Sequence, residues 1–263
     1  MNSNDAVFWQ AVNLIDAGEP YELLAHLRAY PWLIGKTAPP EDPPREAYFA
    51  EPTLVHYLPN NPNRIEKVSP AVVDCFDVLV GMGAGGKALD ETLGLAASSS
   101  SLSDSGQMMR LITALVQAGA KADSGIDAAL SHKMPEALFL LLRLGAAKSL
   151  PVRAALGEPI EAEEVKPDDD LQKAFAVAAI WGQPAPLDGL LAAGADPNRF
   201  CPTDFHAHST PLHQAVWSGS VETVQKLIAG GADKSIKDTI WQGTPLGWAR
   251  HAEKADMVEL LAG

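Results

Sequence analysis

Apolar residues along this chain come in short runs at helical spacing, each followed closely by a glycine and an alanine. Leu111–Val116, Leu138–Leu142 and Leu187–Leu191 each lay leucines along one stripe of a helix. A Gly-Ala pair comes next, at 119–120, 145–146 and 194–195, and the pair recurs at 83–84 and 231–232. Glycine just past a helix can adopt the left-handed conformation that satisfies the last carbonyls, so five helix ends are predicted at these pairs. Ahead of each outer helix the pattern predicts a shorter inner one. Ala174–Trp181 and Leu212–Ser218 are the clearest, followed by Val152–Leu156 in a degenerate unit spanning Leu150–Val165. Near the N-terminus Ala6–Ile15 and Tyr21–Leu27 make a first pair with no turn signature between repeats, as expected of a terminal cap.

The strongest signal is a repeated hexapeptide. Thr210-Pro211-Leu212-His213-Gln214-Ala215 returns as Thr244-Pro245-Leu246-Gly247-Trp248-Ala249, 34 positions later. Thr210 and Thr244 can cap the inner helix through their hydroxyls, and Pro211 and Pro245 suit its first turn. Weaker openings are read at Pro52-Thr53-Leu54 and at Glu91-Thr92-Leu93-Gly94-Leu95-Ala96. Three stretches break the rhythm. Ala38–Glu51 carries Pro39, Pro40, Pro43 and Pro44 and cannot be helical through its middle. Ser98–Gly106 reads as a serine-rich insertion between helices, and Pro197–Ser209 as a lengthened hairpin. The last unit ends at Gly263, with Glu253, Lys254, Asp256 and Glu259 giving it a solvated face.

Composition changes this picture little. With 47% hydrophobic and 20% charged residues the chain has material for a continuous core. A net charge of −13 disfavours nucleic acid, where affinity rests on Lys and Arg meeting phosphates, and disfavours an anionic membrane surface. Cys75 and Cys201 are too few for a disulfide framework. The start, MNSNDAVFWQ, shows no basic segment followed by an apolar run, and no stretch reaches 18 uninterrupted apolar residues. A cytoplasmic protein is expected.

The T-P-L-H-x-A opening at about 33-residue spacing resembles the ankyrin-repeat superfamily, and more narrowly bacterial single-domain ankyrin repeat proteins. The residues carrying the narrower likeness are HSTPLHQAVWSGSVETVQKLIAGGADKSIKDTIWQGTPLGWA. The resemblance implies an all-α fold, an ankyrin-repeat αα solenoid with short β-hairpin or turn fingers and about seven to eight helix pairs. It covers residues 1–263 as one solenoid: 1–51 the N-terminal cap and proline-rich loop, 52–196 degenerate repeats, 197–263 well-matched repeats and the C-terminal cap. It also implies protein–protein recognition, and a structural role for His213 in tying neighbouring loops together.

Candidate chemistry is sparse. Gly81-Met82-Gly83-Ala84-Gly85-Gly86-Lys87 fits a phosphate-binding loop by spacing, but Ala88 stands where a magnesium-binding hydroxyl belongs, and Val72–Val80 reads as a helix where a strand is required. Cys201, Asp204, His206 and His208 supply thiol, carboxylate and imidazoles within eight residues, yet a long hairpin without a second cluster offers at best a weak metal site. Glu163-Glu164 and Asp168–Asp170 read as a solvated acidic connection. Neither G-x-S-x-G nor H-E-x-x-H occurs, so no enzyme and no cofactor are expected.

The tryptophans are more informative. On the repeat alignment Ile180-Trp181 and Trp217-Ser218 end inner helices, Trp241 lies near a turn tip, and His132 takes the matching place in an earlier unit. That alignment predicts a partner-binding strip of Trp181, Trp217, Trp241, Ile180 and His132 on the concave face, since exposed tryptophan is unusual and enriched at interface hot spots. Trp9, Trp32 and Trp248 read as core. The function expected is binding of another protein through that face. The alternatives are an immunity or inhibitor-type protein capping a basic partner, or small-ligand or weak metal binding at the 197–209 loop.

Overall fold

Short helices dominate the chain because its apolar runs are short. The computed structural model describes residues 3–39, 51–166 and 170–263. Its residues divide into two compact units, Met1–Ala147 and Lys148–Gly263.

In the first unit α1 (Ser3–Ala17) pairs with α2 (Pro20–Ala29). A 3₁₀ turn, Leu54–Tyr57, then takes the place of an inner helix beside α3 (Val72–Gly81). Pro59 has no N–H with which to continue that turn into an α-helix. Next come α4 (Lys87–Ala97), α5 (Ser100–Asp104) and α6 (Met108–Gln117). The last pair is α7 (Ile126–Ser131) with α8 (Pro135–Arg143). Successive elements stack in order: the 3₁₀ turn against α4 and α4 against α7 in one layer, α2, α3, α6 and α8 in the other.

The second unit repeats the scheme. Its inner layer is α9 (Leu150–Ala155), α10 (Leu171–Trp181), α12 (Pro211–Ser218) and α14 (Pro245–His251). Its outer layer runs from a 3₁₀ turn, Ala162–Glu164, to α11 (Leu187–Ala192), α13 (Val221–Ala229) and α15 (Ala255–Ala262). One buried cluster, from Leu150 through Phe175, Leu190, Leu212 and Leu227 to Leu261, runs the length of the unit between the layers.

The Gly-Ala pairs do what the sequence predicts. In all five the glycine has φ between 92° and 108°. The following alanine N–H reaches back five residues, as in Ala84 to the Leu79 carbonyl at 2.9 Å and Ala232 to that of Leu227 at 2.9 Å. The glycine N–H bonds three residues back, closing the Schellman motif. A second device was not legible in the sequence. A side chain in, or in the segment leading into, the inner helix of the same helix pair captures the N–H just after the Gly-Ala pair. Asp90 accepts from Lys121 (2.6 Å), Asp123 from Ala147 (2.7 Å), Gln172 from Asp196 (3.1 Å) and Asn198 from Asp233 (2.7 Å). Gln172 and Asn198 also donate to backbone carbonyls, of Asp196 and Gly231.

Several expectations are corrected. Thr92 does not open an inner helix: α4 begins at Lys87 after Gly86, and the Thr92 hydroxyl donates to the Ala88 carbonyl at 2.7 Å from mid-helix. The serine-rich stretch is not a loop, because Ser99 caps α5 by accepting from Leu102 N–H at 3.1 Å, and Leu102 is buried. The fingers contain no β-strand among the described residues; they are turns fixed by isolated hydrogen bonds such as Cys201 N–H to Ser209 O. Trp32, read as core, is 42% exposed, while Trp9 is half-buried, edge-on to Phe8 and Tyr57. The glycine-rich segment 81–87 follows helix α3, and Lys87 is engaged by Glu91 at 2.6 Å. Residues 40–50 of the proline-rich stretch, and Asp168 and Asp169, lie outside the described residues.

Gly189 offers a direct check on the packing of α11. A Cβ there would fall 1.6 Å from the Ile160 carbonyl oxygen, which is backbone and cannot turn aside. Alanine gains about 1 kcal/mol in helix propensity, whereas forcing the two segments apart costs roughly 1–3 kcal/mol. Gly189→Ala is therefore expected to lower stability in urea unfolding despite its better propensity.

Candidate functional site

The N-terminus of α12 is built around a buried histidine. Thr210 stands before the helix, and His213, with 0% exposure, lies in its first turn. The Thr210 N–H donates to His213 Nδ1 at 3.3 Å, and the Thr210 hydroxyl lies 2.8 Å from the same nitrogen. A backbone N–H only donates, so Nδ1 is the bare nitrogen and Nε2 carries the proton. Nε2 then donates to the Gly243 carbonyl at 3.0 Å, tying α12 to the next finger. Burial pushes this imidazole below its usual range, as does His208, while the Gly243 carbonyl and Asp238 pull the other way.

That finger is organised by Asp238, also with 0% exposure. Its Oδ1 accepts from the N–H groups of Ile240 (2.9 Å) and Trp241 (2.6 Å). Its Oδ2 accepts from Gly243 N–H (2.8 Å) and the Trp248 indole N–H (3.0 Å). Burial pushes the carboxyl up, but these four donors outweigh it and hold it down to about 2. Gly243 is closely packed: a Cβ there would come 3.0 Å from Asp238 Oδ2 and 3.1 Å from the Trp248 ring, so both would have to give by a few tenths of an ångström.

An aromatic cluster grows from this turn. Trp248, half-buried on α14, is the hub. Trp217 meets it at 6.2 Å and Trp241 at 5.9 Å between centroids, both steeply inclined to it. His208 stacks on it at 6.0 Å and lies edge-on to Trp241 at 5.3 Å. The His208 carbonyl also accepts from Thr239 N–H at 2.8 Å, so the two fingers are joined. Behind Trp217, Lys254 Nζ donates to the carbonyls of Val216 (2.9 Å) and Trp217 (2.5 Å), capping the end of α12. Outward, Trp217 is 58% exposed, Trp241 67% and the adjacent Ile240 59%. Anchored rings carrying that much free apolar surface are what a binding surface needs.

Residues 208–239, from His208 through the Thr210–His213 box to Thr239, match the family model described as "Ankyrin repeat". The chain carries an ankyrin repeat. A 93-residue stretch is 36% identical to the inactive serine/threonine-protein kinase TEX14 of Mus musculus, over 34% of this chain and 6% of that protein. The chain thus spans a small fraction of the length of this relative.

Beyond the matched ankyrin repeat, the histidine box recurs in the first unit. Thr53 N–H donates to His56 Nδ1 at 3.1 Å, and His56 Nε2 lies 3.1 Å from Glu91 Oε2. In the third copy Gly247 replaces the histidine, and only the Thr244 hydroxyl remains to accept from Gly247 N–H at 3.2 Å.

The predicted strip is distributed as follows. Trp217 and Trp241 converge on Trp248, which the sequence reading assigned to the core. Trp181 is half-buried at the end of α10, the helix beside α12, and Ile180 is 6% exposed and contributes to packing. His132 is exposed at the end of α7 in the first unit. Asp238 stands outside the predicted strip, although an aspartate that can bond backbone two residues on, here the Ile240 N–H, is a turn signal in its own right.

The metal candidates do not converge. Cys201 turns inward, and burial pushes its thiol up to about 12. Asp204 is exposed, and the His206 and His208 rings lie 6.0 Å apart, edge to face. Among the described residues no three His, Cys, Asp or Glu side chains are placed to hold a metal. Nor does any described helix have the length and apolarity to cross a membrane.

Asp238→Asn tests the turn. The amide keeps one acceptor but presents its NH2 to the donors of Gly243 and Trp248, so a loss of about 2–4 kcal/mol is expected in denaturant unfolding, with red-shifted tryptophan emission. The carboxyl is held below its unfolded value of 3.8, so its stabilisation is complete above about pH 4 and is lost as the pH falls toward 2. Wild type should lose stability across that window more steeply than the variant.

Proposed function

We propose that this protein is a non-catalytic interaction module, an ankyrin solenoid that binds another protein through the surface formed by Trp217, Trp241 and Ile240. The observation that carries the reading is the pair of indoles, 58% and 67% exposed, braced on the hydrogen-bonded Trp248. A preordered aromatic anchor loses little side-chain entropy on binding, and such residues dominate interface energetics. Trp181 extends the surface along the neighbouring helix α10, with Ile180 as its support. His132 is offered as a contact of the first unit. The ankyrin match supports a partner that is a protein. The net charge of −13 suits a partner with a basic rim around an apolar centre.

Affinity capture from native lysate with wild type, Trp217→Ala/Trp241→Ala and a control altered at the exposed Phe139 tests this. A protein retained by wild type and control and lost from the double variant, with affinity reduced about 30-fold or more for roughly 2 kcal/mol, is the expected result. Equal retention by all three baits would move the binding surface elsewhere.

A further inference from the structure

We propose that His213 is an acid-sensitive latch on the finger that carries Trp241: as a neutral ring it locks the Asp238–Gly243 turn onto the first turn of α12, and on protonation it lets that turn go. The latch is a property of the chain alone and does not depend on what the surface binds.

The hydrogen-bond pattern permits one protonation state. Nδ1 must keep its lone pair for the Thr210 N–H, and Nε2–H must donate to the Gly243 carbonyl. A second proton would enter at Nδ1 and set one N–H against another. The Thr210 hydroxyl, 2.8 Å away, can rotate to accept, but the backbone N–H cannot. The new charge would also sit at the N-terminal, positive end of α12, in a ring with 0% exposure.

The surroundings do not compensate. From the 233–243 finger the group that faces the ring is Asp238, whose two oxygens already receive four donors. From the preceding loop it is His208, which is itself near His206 and repels a cation when charged. From α14 it is the Trp248 ring, edge-on at 5.1 Å, which does not titrate. Leaving the pocket is then the way for the ring to take up a proton, and the Gly243 carbonyl loses its tie to α12. Gly243 closes the turn in which Trp241 sits, so the mobility of Trp241 follows the charge on His213.

The sign follows from linkage. The folded ring takes a proton less readily than the unfolded one, whose value is 6.5, so the latch is fully closed above that pH and weakens as the pH falls below it. For one proton the opening equilibrium rises by up to tenfold per pH unit.

Amide hydrogen exchange of Thr239, Trp241 and Gly243 in the full chain, from pH 7.5 to 5 and corrected for intrinsic rates, reads this directly. Opening is expected to stay level to about pH 6.5 and then rise by up to tenfold per unit, while amides of α10 stay level. His213→Gln keeps an acceptor for Thr210 and a donor for Gly243 without titrating, and should abolish the rise. His208→Phe, which keeps an aromatic ring, should leave it in place. Should His213→Gln fail to fold, the wild-type ring resonances decide, with titration below 6.5 in step with opening expected. Level opening in wild type, an undiminished rise in His213→Gln, loss of the rise in His208→Phe, or a ring titrating at or above 6.5 would each overturn the proposal.

Discussion

A helix of eight residues leaves four N–H groups at one end and four carbonyls at the other without intrahelical partners, so most of its backbone is end. The helices here run mostly from five to eleven residues, and the structure depends on how those ends are satisfied. At the C-terminal ends of the outer helices the Gly-Ala pair folds the chain back on its own carbonyls. Just beyond, the side chains of Asp90, Asp123, Gln172 and Asn198 reach across from the inner side of the same helix pair. Capping therefore also ties the two helices of a pair together. A helix pair satisfies this end of its backbone by closing on itself, while its apolar stripe is buried against the neighbouring pairs.

The same economy explains the histidine box. A ring nitrogen at the start of an inner helix uses one side to satisfy an orphan N–H and the other to reach the next repeat. His213 reaches a carbonyl at Gly243, and His56 reaches the carboxylate of Glu91. Lys87 hydrogen-bonds that carboxylate and holds it below the usual range, as does His56 itself, against the upward push of burial. One local motif thus feeds two outer contacts, one to a backbone carbonyl and one to a side-chain carboxylate. Where the last copy has Gly247 the threonine cap survives alone and the outward reach is lost.

On the aromatic surface the exposed rings are held by buried polar atoms. Asp238 fixes Trp241 through its backbone and Trp248 through its indole, and Lys254 closes the carbonyls behind Trp217. A carboxylate in a buried turn is tolerated because four donors surround it, and their geometry dictates where the rings stand. The exposed apolar area is therefore an organised feature of the fold, with Trp217 and Trp241 each braced against Trp248.

Features with a local cause were legible along the chain. Gly119, Gly145 and Gly231 were legible because a left-handed residue after a helix needs glycine wherever it occurs. The Thr210 and Thr244 openings were legible because a cap and the proline after it act within one turn. Trp217 and Trp241 were picked out by repeat spacing. Other features depend on contacts made in three dimensions. Thr92 imitates an opening in sequence yet lies inside α4, because Gly86 had already turned the chain. Ser99–Asp104 is helical because Ser99 caps it while Leu102 finds a buried site. Trp248 became the hub of the cluster and Asp238 its anchor through contacts joining α12, α14 and the fingers between them. Those contacts link residues 10 to 38 positions apart, and no local periodicity encodes them.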